Sequence, residues 1–139
     1  MFVSFFLIML SGCKPYNPLI DHLSEMKSDL SSINQKLGFA PLEKMDVFSK
    51  PGVSSVGLRY QPKELNIFKS KLHQAAIEQG YVSSSKSFLL DKENFLLLCD
   101  GKREHRYLVA SQFVNGEISV EIKANNAGEP LISGKLPCY

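Results

Sequence analysis

Residues 106 to 123 read RYLVASQFVNGEISVEIK, two apolar segments on either side of Asn115-Gly116. Asn-Gly is the strongest short signal for a β-hairpin, because both residues tolerate the positive φ of a type I′ turn. The second segment alternates apolar and polar residues, as a strand with one buried face does. A two-residue loop pairs Val114 with Glu117 and predicts the buried face of the hairpin. That face comprises Tyr107, Val109, Phe113, Ile118, Val120 and Ile122.

The segments before this hairpin predict an α+β fold, an antiparallel meander of four or five strands with one helix packed on a face. Pro62 opens that helix, because proline is tolerated in the first turn, and Gly80 closes it. Residues 39–52 contain two prolines and predict a connection with at most one short turn. The other expected elements are strands at 53–60, 85–90 and 94–99, with turns at 91–93 and 100–101.

An amphipathic helix is predicted before this domain, at residues 19–38. Its apolar residues are spaced alternately by four and three, as in a heptad, and Gly38 stands at the C-terminal cap. The apolar stripe has two interpretations: it packs on its own domain, or it pairs with a second helix as a short coiled coil. Fewer than three heptads are marginal alone, although shared membrane anchoring raises the local concentration. The stripe consists of Leu19, Leu23, Met26, Leu30, Ile33 and Leu37.

The first thirteen residues have the pattern of an export signal. Residues 2–10 are almost all apolar but too few to cross a bilayer as a permanent helix. Met1 precedes this run without the Lys or Arg that signal peptides usually carry. A buried amino-terminal strand or helix with an incidental cysteine is the alternative. The run ends in Leu10-Ser11-Gly12-Cys13.

That tetrapeptide resembles the lipobox of bacterial lipoproteins. The resemblance implies that residues 1–12 are removed, that Cys13 is acylated and that residues 13–18 form a lipidated tether. Two or more acyl chains give stable anchoring, because each buried methylene contributes about 0.8 kcal/mol. Lys14 stands where Asp commonly marks retention in the inner membrane, so the resemblance implies the outer membrane, facing the periplasm.

Lipidation of Cys13 leaves two further cysteines, Cys99 and Cys138, in a compartment where disulfides persist. We predict that they form a disulfide, which closes a loop of about 40 residues. Two buried or free thiols are one alternative, and a zinc site completed by His105 is another.

The amino-acid composition does not point to a particular activity. The 139 residues are 44% hydrophobic and 22% charged, which suits one small α+β domain at residues 39–139 after the helix. The formal charge of +2 is spread along the chain, so nucleic acid is not an expected partner. The sequence contains no G-x-S-x-G, H-E-x-x-H or P-loop motif. We therefore predict no catalytic residue, metal or cofactor.

These features predict a non-enzymatic lipoprotein of the bacterial envelope, an accessory or assembly subunit that binds another envelope protein. The first alternative is an immunity or inhibitor lipoprotein that neutralises a periplasmic toxin or lytic enzyme, and the second is a small hydrolase or ligand-binding lipoprotein. The helix at residues 19–37 also offers a route to self-association. Candidate contact residues are Leu23, Met26, Leu30 and Ile33 on the helix, and Arg103, His105 and Arg106 in a basic run expected to be a solvated hairpin edge.

Overall fold

The computed structural model describes residues 18–50, 53–85, 93–103, 105–125 and 138. Its strands form one antiparallel sheet in the order β1-β2-β6-β5-β4-β3. The elements are α1 (Pro18–Leu37), β1 (Asp46–Lys50), β2 (Val53–Tyr60), α2 (Leu65–Glu78), β3 (Tyr81–Ser83), β4 (Asn94–Asp100), β5 (Arg106–Gln112) and β6 (Ile118–Asn125).

The predicted α+β class is confirmed, whereas the strand count and the simple meander are not. The described sheet has six strands, and the two that were not predicted, β1 and β3, lie at its edges. β2 lies beside β6 rather than β3, so α2 carries the chain from one side of the sheet to the opposite edge. β1 falls in the expected connection; all five of its residues are exposed, so it has no alternation of buried and exposed positions to detect.

Both helices pack on the same face of the sheet. Leu30 and Ile33 of α1 are at most 1% exposed and belong to one apolar cluster with Leu72 of α2. The ring of Phe68 in α2 lies 5.1 Å from the ring of Tyr60 in β2. Of the two interpretations of the heptad stripe, packing on its own domain therefore describes α1 in this fold.

Glycines end both helices, as predicted. Gly38 has a φ of 73° and Gly80 a φ of 103°, the left-handed conformation that lets the chain leave a helix. α2 begins at Leu65, with Glu64 as its N-cap residue, rather than at Pro62. Pro62 thus lies just before the helix instead of in its first turn.

The loop between β5 and β6 has three residues, not the two that Asn-Gly predicts. The amide of Phe113 donates to the carbonyl of Glu117 at 2.9 Å, and the amide of Gly116 donates back to the carbonyl of Phe113 at 3.0 Å. Gly116 has a φ of 82°, which suits the left-handed residue that ends a three-residue hairpin loop. Ile118 consequently lies opposite Gln112 instead of Phe113.

This shift of one residue reverses the face assigned to β5, because side chains alternate along a strand. Leu108 and Ala110 face the helices, and the predicted assignment of Tyr107 and Val109 to that face is wrong. Phe113 is 43% exposed. The β6 half of the prediction is correct, since Ile118, Val120 and Ile122 are all buried under the helices.

Tyr107 and Val109 instead form a second, smaller apolar cluster on the opposite face of the sheet. They pack there with Leu97 and with the Cys99–Cys138 disulfide, whose Cα atoms are 5.8 Å apart. The predicted disulfide is therefore present in the structure. It joins the described end of the chain to β4.

Several predicted features lie outside the described residues: the signal peptide 1–12, Cys13, most of the tether 13–18, and most of the strand at 85–90. No helix in the described ranges is long and apolar enough to cross a membrane.

Candidate functional site

Arg106, at the start of β5, is the centre of a buried ionic cluster beneath α1. Its side chain is fully buried, although the sequence suggested a solvated hairpin edge. The β5 register places it on the helix-facing side of the sheet, where α1 presents acidic residues. Nη2 donates to Glu25 Oε2 at 2.9 Å and contacts His22 Nδ1 at 2.8 Å. Because arginine can only donate, this contact requires an unprotonated Nδ1 on His22.

Two further acidic residues and a second arginine complete what we call the arginine cluster: Glu25, Asp29, Asp100, Arg103 and Arg106. Nη1 of Arg106 lies 3.7 Å from Asp100 Oδ2 and 4.0 Å from Asp29 Oδ2. Nη1 of Arg103 lies 3.5 and 3.6 Å from the same two oxygens. Three carboxylates thus share two guanidinium groups, and α1 is tied to β4 and β5.

Neighbouring polar groups fix the orientation of Asp29 in the cluster. Tyr81 donates its hydroxyl to Asp29 Oδ2 at 3.1 Å, and Gln79 donates to Oδ1 at 3.2 Å. Burial raises the pKa of Tyr81, and the charges of Asp29 and Asp100 raise it further. The hydroxyl therefore stays protonated and acts as a donor. These contacts join α1 to the residues at the end of α2 and the start of β3, in addition to the ion pairs with β4 and β5.

The lowered pKa of Glu25 predicts how the stability of the cluster changes with acid. The hydrogen bond from Arg106 holds the pKa of Glu25 below its ordinary value of 4.5, and the charge of Arg103 adds to the effect. Its contribution to stability is therefore fully present above about pH 4.5 and is lost as the pH falls through the lower folded-state pKa. Since the side chain is 45% exposed, we expect less than about 1 kcal/mol from the pairing.

Urea unfolding of the wild type and of Glu25→Gln between pH 7 and pH 3 measures this contribution. The variant should be less stable at pH 7, and the difference should shrink as the pH falls through the lowered pKa of Glu25. Glu78→Gln, which removes an exposed carboxylate of α2 outside the cluster, is the matched control. A difference in stability that stays constant with pH would contradict the role given to the charge of Glu25.

The residues predicted to contact a partner fall in different environments. Met26, Leu30 and Ile33 are covered by the chain's own sheet, and Leu23 packs against the same core. A partner of α1 would therefore have to contact its other side. Of the basic run, the side chain of Arg103 is 38% exposed and His105 is half-buried with a φ of 62°. Arg106 is enclosed.

A second polar site lies on the sheet face away from the helices. It is a shallow groove of about 580 Å³, which we call the acidic groove. Gly57 forms part of its floor, and a Cβ there would come within 3.2 Å of the Glu121 side chain. The groove is lined by Asp46, Gly57, Arg59, Phe113, Glu117, Ser119 and Glu121.

Carboxylates outnumber cations around the acidic groove. Arg59 binds Glu43 at 2.5 Å and Glu117 at 3.3 Å, which raises the pKa of its guanidinium. Lys123 pairs with Glu121 at 3.2 Å. Asp46 makes no ion pair with any residue in the described ranges.

Comparisons with known proteins assign the chain to no family. A scan of protein-family models and searches of curated proteins and solved structures found no match to the chain. In the described part of the chain, no group of three His, Cys, Asp or Glu side chains is placed to hold a metal ion. The function must therefore be inferred from the surface itself.

Four of the eight exposed large apolar side chains among the described residues belong to segments that meet at the end of the sheet where β2 finishes and β6 starts. The amide of Leu42 donates to the carbonyl of Arg59 in β2 at 2.8 Å. Gln61, two residues further on, donates to the carbonyl of Asn115 at the hairpin tip at 3.1 Å. Gln61 also lines a groove of about 370 Å³ with Ile67 in the first turn of α2. We call this surface the apolar end; it consists of Leu42, Ile67, Phe113 and Val114, each at least 43% exposed.

Sequence reasoning did not find either polar site. The signal for the arginine cluster was the i, i+4 pair Glu25 and Asp29, on the side of α1 next to the apolar stripe. Its partner Arg106 looked like a surface residue because four of the five residues from 102 to 106 are basic or histidine. The acidic groove combines residues from β1, β2, β6 and the β5–β6 hairpin, which only the strand order brings together.

Proposed function

We propose that this chain is a lipid-anchored binding module of the bacterial envelope that contacts another envelope protein through the apolar end. The anchor is Cys13, as the lipobox-like tetrapeptide implies, and the outer membrane is the proposed location. The observation that carries the proposal is the gathering of four exposed apolar side chains at one end of the sheet. Contiguous exposed apolar surface commonly marks a site of protein interaction.

The shape of the hairpin tip supports this role. Val114 is fully exposed, and the three-residue loop that carries it is held by two backbone hydrogen bonds. Its contact with Gln61 ties the loop to the end of β2. A side chain presented on a held loop binds at a lower cost in conformational entropy than one on a flexible segment.

The same protruding tip supports a second candidate, an immunity or inhibitor lipoprotein. A rigid loop with an apolar tip can fill the cleft of a toxin or a lytic enzyme. Deletion separates the two candidates: loss of an assembly subunit impairs unstressed cells, whereas loss of an immunity protein is harmful only when its toxin is present.

Crosslinking in cells followed by purification and mass spectrometry tests the proposal. The lipidated chain should recover one envelope protein in stoichiometric amount, and Val114→Glu should reduce that recovery about tenfold or more. Val82→Glu introduces the same change at a 47% exposed position of β3 and should leave recovery unchanged. Equal losses from the two variants, or recovery of the chain alone, would refute the partner role.

The anchor is tested separately with Cys13→Ser. This variant should lose labelling by a fatty-acid probe and leave the membrane fraction. Persistent labelling would refute lipidation at Cys13 without affecting the evidence for a partner.

A further inference from the structure

β1 is an edge strand of the described sheet, with β2 on one side and no described strand on the other. All five residues of β1 are exposed, with Val47 and Phe48 at 47% and 51%. Among the described strands, β1 pairs only with β2. A strand edge with free backbone groups and exposed apolar side chains is a template for a further strand.

The sequence of β1, DVFSK, is complementary to itself in the antiparallel direction. When Phe48 of one copy lies opposite Phe48 of a second copy, Asp46 lies opposite Lys50 and Val47 opposite Ser49. Side chains directly opposite each other share a face, so the Phe pair and both Asp–Lys pairs form on the same side. That is the side away from the helices, because Val47 pairs with Val56, which is buried under them.

The charges and aromatic groups of β1 are suited to this pairing. Asp46 lies beside the acidic groove, where its charge acts on Arg59, but it is not in an ion pair within 4.0 Å in the described residues. Lys50 already lies 5.7 Å from the ring centre of Phe48, so its ammonium group is on the face where the intermolecular pairs would form. Opposite charges and aromatic pairs at directly opposed positions stabilise antiparallel strands.

We propose that two copies of this chain form a symmetric dimer by antiparallel pairing of β1 with β1, joining their sheets into one. The interface is isologous, since both copies use the same five residues. A single strand pair buries too little surface for tight association in solution. Dimerisation therefore depends on concentration at the membrane and in this respect rests on the Cys13 anchor of the proposed function.

The symmetry also orients the dimer. Antiparallel strands that continue one sheet are related by a two-fold axis perpendicular to that sheet. Two anchors related by this axis reach one membrane when the axis lies along the membrane normal. The joined sheet then lies parallel to the membrane, and the apolar ends of the two copies point in opposite directions.

Single cysteines introduced into β1 test the register in cells with the lipidated chain. In the proposed register residue 48 of one copy lies opposite residue 48 of the other, so Phe48→Cys should form an intermolecular disulfide. Val47→Cys or Ser49→Cys alone should give at least about tenfold less disulfide, because each introduced cysteine lies away from the same position in the second copy. Co-expression of Val47→Cys and Ser49→Cys with different tags should restore crosslinking between them. Equal crosslinking of all three single variants, or none by any, would overturn the proposal.

Charge exchange provides the second measurement and does not depend on one cysteine position. In the Phe48→Cys background, Asp46→Lys and Lys50→Asp should each lower crosslinking, and the double exchange should recover it. Glu78→Lys on the exposed side of α2 is the matched control and should have no effect. Failure of the double exchange to recover crosslinking would overturn the proposed register.

This test is separable from the test of the envelope partner. Val114→Glu should leave the Phe48→Cys crosslink intact, and Asp46→Lys should leave recovery of the partner intact. If Val114→Glu abolished both, β1 pairing would be a consequence of partner binding and the direct dimer would be refuted.

Discussion

Replacing Arg106 by alanine is expected to lower the free energy of unfolding by about 3 to 5 kcal/mol, a large part of the total stability of a small domain. The guanidinium is fully buried and lies within 4.0 Å of three carboxylates. Asp29 and Asp100 are themselves largely buried, at 14% and 6% exposure, and Arg103, which faces both, is itself partly exposed. Removing one partner from a buried ionic cluster costs far more than the pairing contributes, because the remaining charges stay desolvated.

The matched control is Arg103→Ala. Arg103 faces Glu25, Asp29 and Asp100 as Arg106 does, but its side chain is 38% exposed, so we expect a loss below about 1 kcal/mol. Urea unfolding of the Cys13→Ser chain at pH 7 compares the two variants. Similar losses for both would show that burial does not control the energetics of the cluster.

A third variant separates lost charge from lost volume. Arg106→Met fills the space of the side chain but leaves the carboxylates unpaired, so it should remain strongly destabilised. Adding Asp29→Asn and Asp100→Asn removes those charges and should recover much of the stability, because well-packed neutral groups can replace a buried ionic cluster. If Arg106→Met alone were as stable as the wild type, the role of Arg106 would be packing only.

Local features of the fold could be predicted from the sequence because their causes are local. Gly38 and Gly80 end helices through a backbone conformation that glycine adopts without strain. The strand at Val53–Tyr60 was visible from its alternation, with Val56, Leu58 and Tyr60 buried on one side. The disulfide was predicted from cysteine number, because the proposed lipidation of Cys13 leaves Cys99 and Cys138 as an even pair.

The features that were missed depend on non-local choices. Asn115-Gly116 fits both a two-residue loop and a three-residue loop that ends in a left-handed glycine, and the local sequence does not separate them. That one-residue choice decided the face of Arg106 and hence the whole arginine cluster. The acidic groove depended on β2 lying beside β6, an order set by the crossover through α2.

Removing the Cys99–Cys138 disulfide is expected to cost roughly 3 to 4 kcal/mol. The two cysteines are 39 residues apart, and a cross-link of that span restricts the unfolded chain by an amount that grows with the logarithm of the loop length. In the folded state the pair also packs with Tyr107 and Val109 on the face opposite the helices. Alanine is the suitable replacement, because serine would add a buried hydroxyl at sites that are 5% and 4% exposed.

Cys99→Ala, Cys138→Ala and the double variant together isolate the cross-link from the packing. Each single change already removes the whole bond, so the three free energies of unfolding should be nearly equal, far from additive. Reduction of the wild type should give a similar loss under the same urea titration. Additive losses would instead assign the effect to two independent packing defects. In that case the two cysteine side chains would contribute to stability through their packing with Tyr107 and Val109, rather than through restriction of the unfolded chain.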